Sequence, residues 1–95
     1  LIVPSVFESF GLVILEGASQ GLPILASDLI IFRELNKKIP NIHFFKALDY
    51  KKLAEKLQWM IQNKEQWKEW GAANKKSSSF FSQKTAIDIL KSIYV

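Results

Sequence analysis

Short apolar runs alternate with longer segments of helical periodicity along this chain, and that alternation narrows the possible folds more than any other feature. The runs occupy residues 1–3, 24–26 and 41–45. Each run is short enough to be a buried strand, and each is followed by a helical pattern. This order predicts an α/β fold with a parallel sheet of about three strands joined by right-handed crossovers.

Glycine and proline mark the end of the first helix. The helix is predicted over about 9–20, with Gly21 as its C-terminal cap and Pro23 just beyond. Residues 12–15 are apolar on every side, which is typical of a helix buried in a domain. Gly17 within it indicates close packing against a strand.

The later helical segments follow the second and third runs. They are predicted at 31–36, over about fourteen residues after the N-cap Asp49, at 64–76, and after Ser82. Helical spacing places residues 53, 54, 57, 60 and 61 on one apolar stripe, with Trp59 off it. The polar run 75–79 predicts a break before the final helix.

Composition excludes several classes of protein. The 95 residues are 48% hydrophobic and 13% aromatic, which is enough for one small folded domain. The chain has no cysteine, so disulfides, thiolate metal sites and cysteine nucleophiles are excluded. No apolar run approaches the ~18 residues that span a bilayer. Because the chain starts at Leu1 inside an apolar run, we expect a piece of a longer protein without a signal peptide.

The net charge of +4 is unevenly distributed. Residues 1–35 carry four acidic side chains and one basic one, whereas residues 36–95 carry twelve lysines and five acids. Basic surfaces favour nucleic acids or anionic membranes, but lysines interspersed with glutamates are typical of solvent-exposed helix faces. We therefore expect no nucleic-acid partner. A non-catalytic, basic α/β interaction module stays open as an alternative.

The single histidine and the tryptophans are assigned to packing. His43 lies in an apolar strand, and Trp67 and Trp70 share one side of a helix. Stacking of these tryptophans on nucleic-acid bases is the alternative, but helical spacing favours contact with neighbouring helices. No cluster of metal ligands is present in the sequence, so no metal site is predicted.

Two glutamates flank the junction between the first strand and the first helix. Glu8 falls in the loop and Glu16 lies about six residues into the helix, so ~9 Å separates them, a gap that an elongated ligand can fill. A carboxylate in an apolar neighbourhood needs a partner, and Glu16 could instead be structural, bonded to backbone or to Arg33. In open α/β sheets, ligands bind beyond the carboxyl ends of the strands, where 5–11 and 27–28 fall.

The start of this helix has the chemistry of an anion site. Gly11 allows a ligand to approach the backbone, and the amides of Phe10, Gly11 and Leu12 belong to an unpaired first turn. Such a turn and the helix dipole attract phosphate, whereas carboxylates accept hydrogen bonds from sugar or ribose hydroxyls. A phosphate group between two polyols is a nucleotide sugar.

Residues 4–28 read PSVFESFGLVILEGASQGLPILASD and resemble the Glu-x7-Glu signature of retaining glycosyltransferases with the GT-B fold, notably glycosyltransferase family 4. A weaker resemblance continues through 32–34, Asp49 and 80–82. It implies a partial Rossmann-like parallel sheet with flanking helices. Residues 1–95 would form the second half of a GT-B C-terminal nucleotide-sugar-binding domain. The first half of that domain, with its phosphate-binding Arg and Lys, and the N-terminal acceptor domain would be absent.

The resemblance also implies a role for each site residue. Glu8 would contact the donor sugar as the catalytic residue, and Glu16 would hold the ribose hydroxyls. The remaining substrate-binding residues would be Ser9, Phe10, Gly11 and Leu12, at the turn that holds the donor hydroxyls and diphosphate. Many family members have glycines after the aspartate at the position of Asp28. This chain has none there, so the loop has no assigned donor role.

The implied enzyme is a hexosyltransferase that moves a hexosyl group, with retention, from a nucleotide sugar to a glycan or lipid-linked acceptor. The resemblance points to bacterial surface polysaccharide synthesis, such as lipopolysaccharide or capsule. We expect no cofactor or metal, a cytoplasmic location with peripheral contact at the inner face of the plasma membrane, and no activity from the chain alone. Expected partners are the donor, the missing upstream domain, and a second copy through the edge of the first strand. A GT-B sugar-nucleotide epimerase is a further alternative.

Overall fold

The computed structural model describes residues 1–7, 11–79 and 91. Its elements are β1 (Ile2–Val3), α1 (Leu12–Ser19), β2 (Ile24–Ser27), α2 (Ile30–Asn36), β3 (Ile42–Phe45), α3 (Tyr50–Gln62), a 3₁₀ turn (Lys64–Gln66) and α4 (Trp67–Ser78). β2 lies between β1 and β3 and is parallel to both. The predicted α/β fold with a three-stranded parallel sheet is therefore confirmed.

Each face of the sheet carries its own cluster of buried side chains. On one face, Ile24 and Ala26 pack with α1 and α2, where Ile14 and Phe32 are fully buried. On the opposite face, Leu25 packs with side chains of α3 and α4. Successive residues of a strand point to opposite faces, so a strand covered on both sides is apolar throughout.

Left-handed glycines stand at both ends of α1. Gly11 has φ 63°, so the right-handed helix α1 begins at Leu12, while the predicted start at position 9 or 10 lies outside the described residues. Gly21 has φ 75°, and the amides of Gly21 and Leu22 bond back to the last turn at 3.0 and 3.1 Å. These two bonds form a Schellman motif, which confirms Gly21 as the predicted cap.

Only one side of α1 is buried. Ile14, Gly17 and Ala18 face the core, whereas Leu12 and Glu16 are exposed. The prediction of a helix buried on every side is therefore wrong. Four consecutive apolar residues cover slightly more than one helical turn, so they do not show which side of the helix meets the sheet.

Glycines allow α1 to make two close contacts. A Cβ atom at Gly17 would overlap the side chain of Leu1, next to β1, which confirms the predicted close packing near the first strand. A Cβ atom at Gly71 would overlap the carbonyl oxygen of Gly21. Helix α4 therefore lies directly against the C-terminal end of α1.

Helix α4 continues through residues 75–78, so the predicted break at 75–79 is wrong. The hydroxyls of Ser78 and Ser79 donate to carbonyl groups three residues earlier, at 2.9 and 2.6 Å. Such bonds turn the serine hydroxyls back onto the helix. The lysines of the last turn also interact favourably with the helix dipole. The predicted final helix after Ser82 lies outside the described residues.

Asp49 caps α3 as predicted, because its Oδ1 atom accepts a hydrogen bond from the amide of Lys52 at 3.0 Å.

Leu48, just before the cap, has φ 68° and is 63% exposed. The predicted stripe is only partly buried: Leu53, Leu57 and Met60 pack on the sheet, whereas Ala54 and Ile61 are exposed.

β1 is an outer strand that pairs, among the described strands, with β2 alone. Its residue Ile2 is 44% exposed. Self-association through this edge stays a prediction. Within residues 1–7 and 11–79, no helix has both the length and the hydropathy needed to cross a bilayer.

Candidate functional site

The carboxyl ends of the three strands meet at one edge of the sheet, because the strands are parallel. β1 ends there at Val3, and β2 ends at Ser27. The buried hydroxyl of Ser27 donates to the carbonyl of Val3 at 3.2 Å and fixes these two strand ends relative to one another. The loop from β1 to α1 starts at this edge, which is where ligands bind in open parallel sheets.

Gly11 provides a helix start without a side-chain cap. It is the N-cap residue of α1, and among residues 1–7 and 11–79 no side chain bonds to the amides of the first turn. A Cβ atom at this buried position would lie 2.5 Å from Cδ1 of Leu35 on α2. Glycine therefore satisfies both the left-handed backbone and the contact with α2. The amides of Leu12 and Val13 are left without the side-chain cap that Ser or Asp would provide.

Three of the predicted site residues, Glu8, Ser9 and Phe10, lie outside the described residues. The catalytic role of Glu8 and the donor contacts of Ser9 and Phe10 stay predictions. Of the other predicted residues, Gly11 is buried at the start of α1, while Leu12 and Glu16 are exposed along the same helix. The 9 Å separation of the two glutamates likewise stays a prediction.

Glu16 lies in a different environment from the one predicted. It is exposed rather than surrounded by apolar side chains, because it lies across the helix from the buried Ile14. Of the two structural alternatives, a bond to backbone and a bond to Arg33, the second is wrong, since Arg33 bonds to Asp28. Within residues 1–7 and 11–79, the Glu16 carboxylate has no hydrogen-bond or salt-bridge partner.

An open depression of about 270 Å³ adjoins Glu16. The described residues that line it are Leu15, Glu16 and Ser19 of α1 and Ser78 of α4. Ser78 is not among the predicted site residues, because the polar run that contains it predicts a helix break instead. A carboxylate and two hydroxyls beside one apolar side chain suit a ligand with both hydroxyl groups and C–H surface.

A charged pair follows the carboxyl end of β2. Nε of Arg33 donates to Oδ1 of Asp28, and the guanidinium carbon lies 4.2 Å from the ring centroid of Phe44. The hydrogen bond from Arg33 lowers the pKa of the Asp28 carboxyl group, and the same bond raises the pKa of Arg33. Asp28 is a loop residue here, because Leu29 is the N-cap of α2.

His43 lies against two tryptophans on the face covered by α3 and α4, which confirms the packing assignment. Its ring centroid is 5.2 Å from that of Trp59 and 4.8 Å from that of Trp70. The Nε2 atom is buried and lacks a hydrogen-bond partner in the described part of the chain. Burial, together with the positive charge of Lys56, lowers the pKa of His43. Trp67 also has a structural contact, since its Nε1 atom donates a hydrogen bond to the carbonyl of Met60 at 2.9 Å.

Comparison with known proteins assigns the chain to a family. The family model described as Glycosyl transferases group 1 matches residues 1–77, from β1 into the last turn of α4. The matched segment therefore contains the strand ends, the start of α1 at Gly11, and the α1 residues that line the depression, whereas Ser78 lies one residue beyond it. Comparisons with curated proteins and with solved structures found no significant match. Because the match covers more than half of its length, the chain belongs to the group 1 glycosyl transferases.

Proposed function

We propose that the chain is the donor-binding portion of a retaining family 4 glycosyltransferase with the GT-B fold. The enzyme moves a hexosyl group from a nucleotide sugar to a glycan or lipid-linked acceptor. The Glu16 carboxylate carries the proposal: it is exposed, has no partner among the described residues, and adjoins an open depression. Because this carboxylate makes no hydrogen bond to the described residues, it is available to accept hydrogen bonds from ligand hydroxyls.

The proposed roles divide an elongated donor between two positions on the β1–α1 segment. Glu8 contacts the donor sugar as the catalytic residue, and Glu16 holds the ribose hydroxyls. The turn between them binds the donor hydroxyls and the diphosphate through Ser9, Phe10, Gly11 and Leu12. The first turn of α1 supports this assignment, since no side chain of the described residues caps its amides, and free amides and the helix dipole attract phosphate.

In this proposal, residues 1–95 are the second half of the C-terminal nucleotide-sugar-binding domain. The upstream part of the enzyme supplies the acceptor site and the cationic side chains that bind phosphate, so the chain alone is inactive. The reaction needs no metal. We place it in bacterial surface polysaccharide synthesis, in the cytoplasm or at the inner face of the plasma membrane.

Calorimetric titration of the complete enzyme with its nucleotide sugar tests the proposal. Glu16→Ala is expected to weaken donor binding at least about tenfold, because it removes charge-assisted hydrogen bonds. Glu69→Ala is the matched control, since it removes an exposed glutamate from α4 that does not line the depression. Equal donor affinity of the wild type and Glu16→Ala would contradict the assignment of Glu16.

Two further measurements separate the alternatives. A basic interaction module would lose its acidic partners steeply as ionic strength rises, whereas recognition through neutral hydroxyls falls much less. A GT-B epimerase would bind the same donor but convert its sugar without an acceptor. Nuclear magnetic resonance analysis of the products, with and without acceptor, distinguishes that enzyme from a transferase.

A further inference from the structure

Two helices that are distant in the sequence form the depression beside Glu16. Glu16 and Ser19 come from α1, whereas Ser78 comes from the last turn of α4. The contact between Gly71 and Gly21 holds α4 against the end of α1 two helical turns before Ser78. The packing of the two helices therefore fixes the position of Ser78 relative to Glu16.

The polar side chains with which the described residues line the depression present hydrogen-bond acceptors to it. The hydroxyl of Ser19 donates to the carbonyl of Glu16 at 2.8 Å, and that of Ser78 donates to the carbonyl of Lys75 at 2.9 Å. A hydroxyl has one proton to donate, so each serine retains only its oxygen lone pairs for a ligand. These lone pairs add to those of the Glu16 carboxylate.

A group of acceptors selects a ligand that brings several hydrogen-bond donors. Phosphate is excluded, because it is anionic and itself an acceptor. A polyol satisfies the group, because adjacent hydroxyls can donate to two acceptors at once.

We infer that Ser78 is a donor-binding residue, and that it accepts a hydrogen bond from one ribose hydroxyl while Glu16 accepts one from the other. This inference rests on the proposed function. Ribose carries its 2′ and 3′ hydroxyls on neighbouring carbons, so both acceptors can be used by one ring. The diphosphate then lies outside the depression, towards the first turn of α1, whose amides attract it.

Titration of the complete enzyme with uridine, guanosine and adenosine diphosphates, and with their 2′-deoxy and 3′-deoxy forms, tests the inference. The wild type is expected to bind one ribonucleotide more tightly than either deoxy form. Ser78→Ala is expected to weaken that ribonucleotide about threefold to tenfold. It should leave the affinity for one deoxy form unchanged, because that form already lacks the hydroxyl that pairs with Ser78.

The neighbouring serine provides a matched control. Ser79 donates to the carbonyl of Lys76 as Ser78 does to that of Lys75, but Ser79 does not line the depression. Ser79→Ala should therefore bind like the wild type. Ser78→Thr keeps the hydroxyl and should preserve the preference for the ribonucleotide, which separates loss of the acceptor from damage to the helix.

The outcomes for Glu16 and Ser78 are distinguishable. If Ser78→Ala binds every nucleotide like Ser79→Ala while Glu16→Ala still loses affinity, the role of Ser78 is refuted and the proposed function stands. If Glu16→Ala also binds like the wild type, the proposed function fails together with the inference. A ribonucleotide preference that Ser78→Ala reduces and Ser78→Thr preserves supports both.

Discussion

The Oδ1 atom of Asn74 accepts a hydrogen bond from the backbone amide of Asn41 at 2.9 Å, which joins α4 to the segment that enters β3. The side-chain amide of Asn74 donates to the carbonyls of Leu22 and Asn41, at 2.9 and 3.2 Å. Asn74 is fully buried. A single polar side chain therefore satisfies backbone groups at the amino ends of both β2 and β3.

Asn74→Ala should lower the free energy of unfolding by about 2–3 kcal/mol, because it removes three hydrogen bonds between a buried side chain and partly buried backbone groups. The midpoint of urea unfolding, followed by tryptophan fluorescence, measures the change. Lys76→Ala, on the exposed side of the same helix, should alter stability by less than about 0.5 kcal/mol. Equal effects of the two substitutions would show that the Asn74 hydrogen bonds contribute nothing net.

Gly71→Ala should destabilise the protein, although glycine to alanine in a helix normally stabilises by about 1 kcal/mol. The added Cβ atom would overlap the carbonyl oxygen of Gly21, which is backbone and cannot rotate away. Overpacking of this kind costs about 1–3 kcal/mol. The urea unfolding midpoint shows whether the variant is less or more stable than the wild type. A more stable Gly71→Ala protein would contradict the close approach of α4 to α1.

Leu48→Gly should stabilise the protein by about 0.5–1 kcal/mol. Leu48 holds φ 68°, a left-handed conformation that strains residues with a Cβ atom, and its exposed side chain loses little buried area on removal. Leu48→Ala keeps the Cβ atom and hence the strain, so it serves as the control. Identical unfolding midpoints for the two variants would argue against strain at this position.

Stability should fall as the pH decreases below about 6.5, the ordinary pKa of histidine. Burial and Lys56 lower the pKa of His43 in the folded state, so the unfolded chain takes up the proton first. The contribution of His43 to stability is therefore complete above its pKa in the unfolded chain. It declines as the pH falls towards its pKa in the folded protein.

His43→Phe should remove this dependence, since phenylalanine can occupy the space against Trp59 and Trp70 without titrating. The measurement is the urea midpoint between pH 7.5 and 4.5 for the wild type and the variant. The Asp28–Arg33 pair loses its contribution to stability only at lower pH, because the pKa of Asp28 is lowered from 3.8. If the urea midpoint changes equally with pH in the wild type and in His43→Phe, His43 is not the source of the pH dependence.

Features that adjacent residues determine were predictable from the sequence. The predicted end of the first helix at Gly21 and Pro23 and the predicted cap of α3 at Asp49 are both correct. The geometry of a cap depends on a few neighbouring positions, so the local sequence is enough to predict it. The three apolar runs likewise predicted the strands. The break at 75–79 failed because hydroxyl bonds to the preceding turn accommodate serines that composition alone assigns to loops.

Features that depend on the packing of distant elements were not predictable. The exposure of Glu16 follows from which side of α1 faces the sheet, and the contacts of Gly17 and Ala18 fix that side. Ser78 reaches the Glu16 depression only because Gly71 allows α4 to approach α1. No local pattern in the sequence connects positions 16 and 78.

Every register pair in the sheet joins residues that are 18 or 23 positions apart. A hairpin can form from neighbouring residues, but each parallel pair here must first close a loop that contains a helix. The entropy of loop closure opposes folding before any strand pairing compensates for it. A preformed α1 or α2 shortens the distance that the chain must search. The folding rate should therefore depend more on helix formation in these crossovers than on the strands that they join.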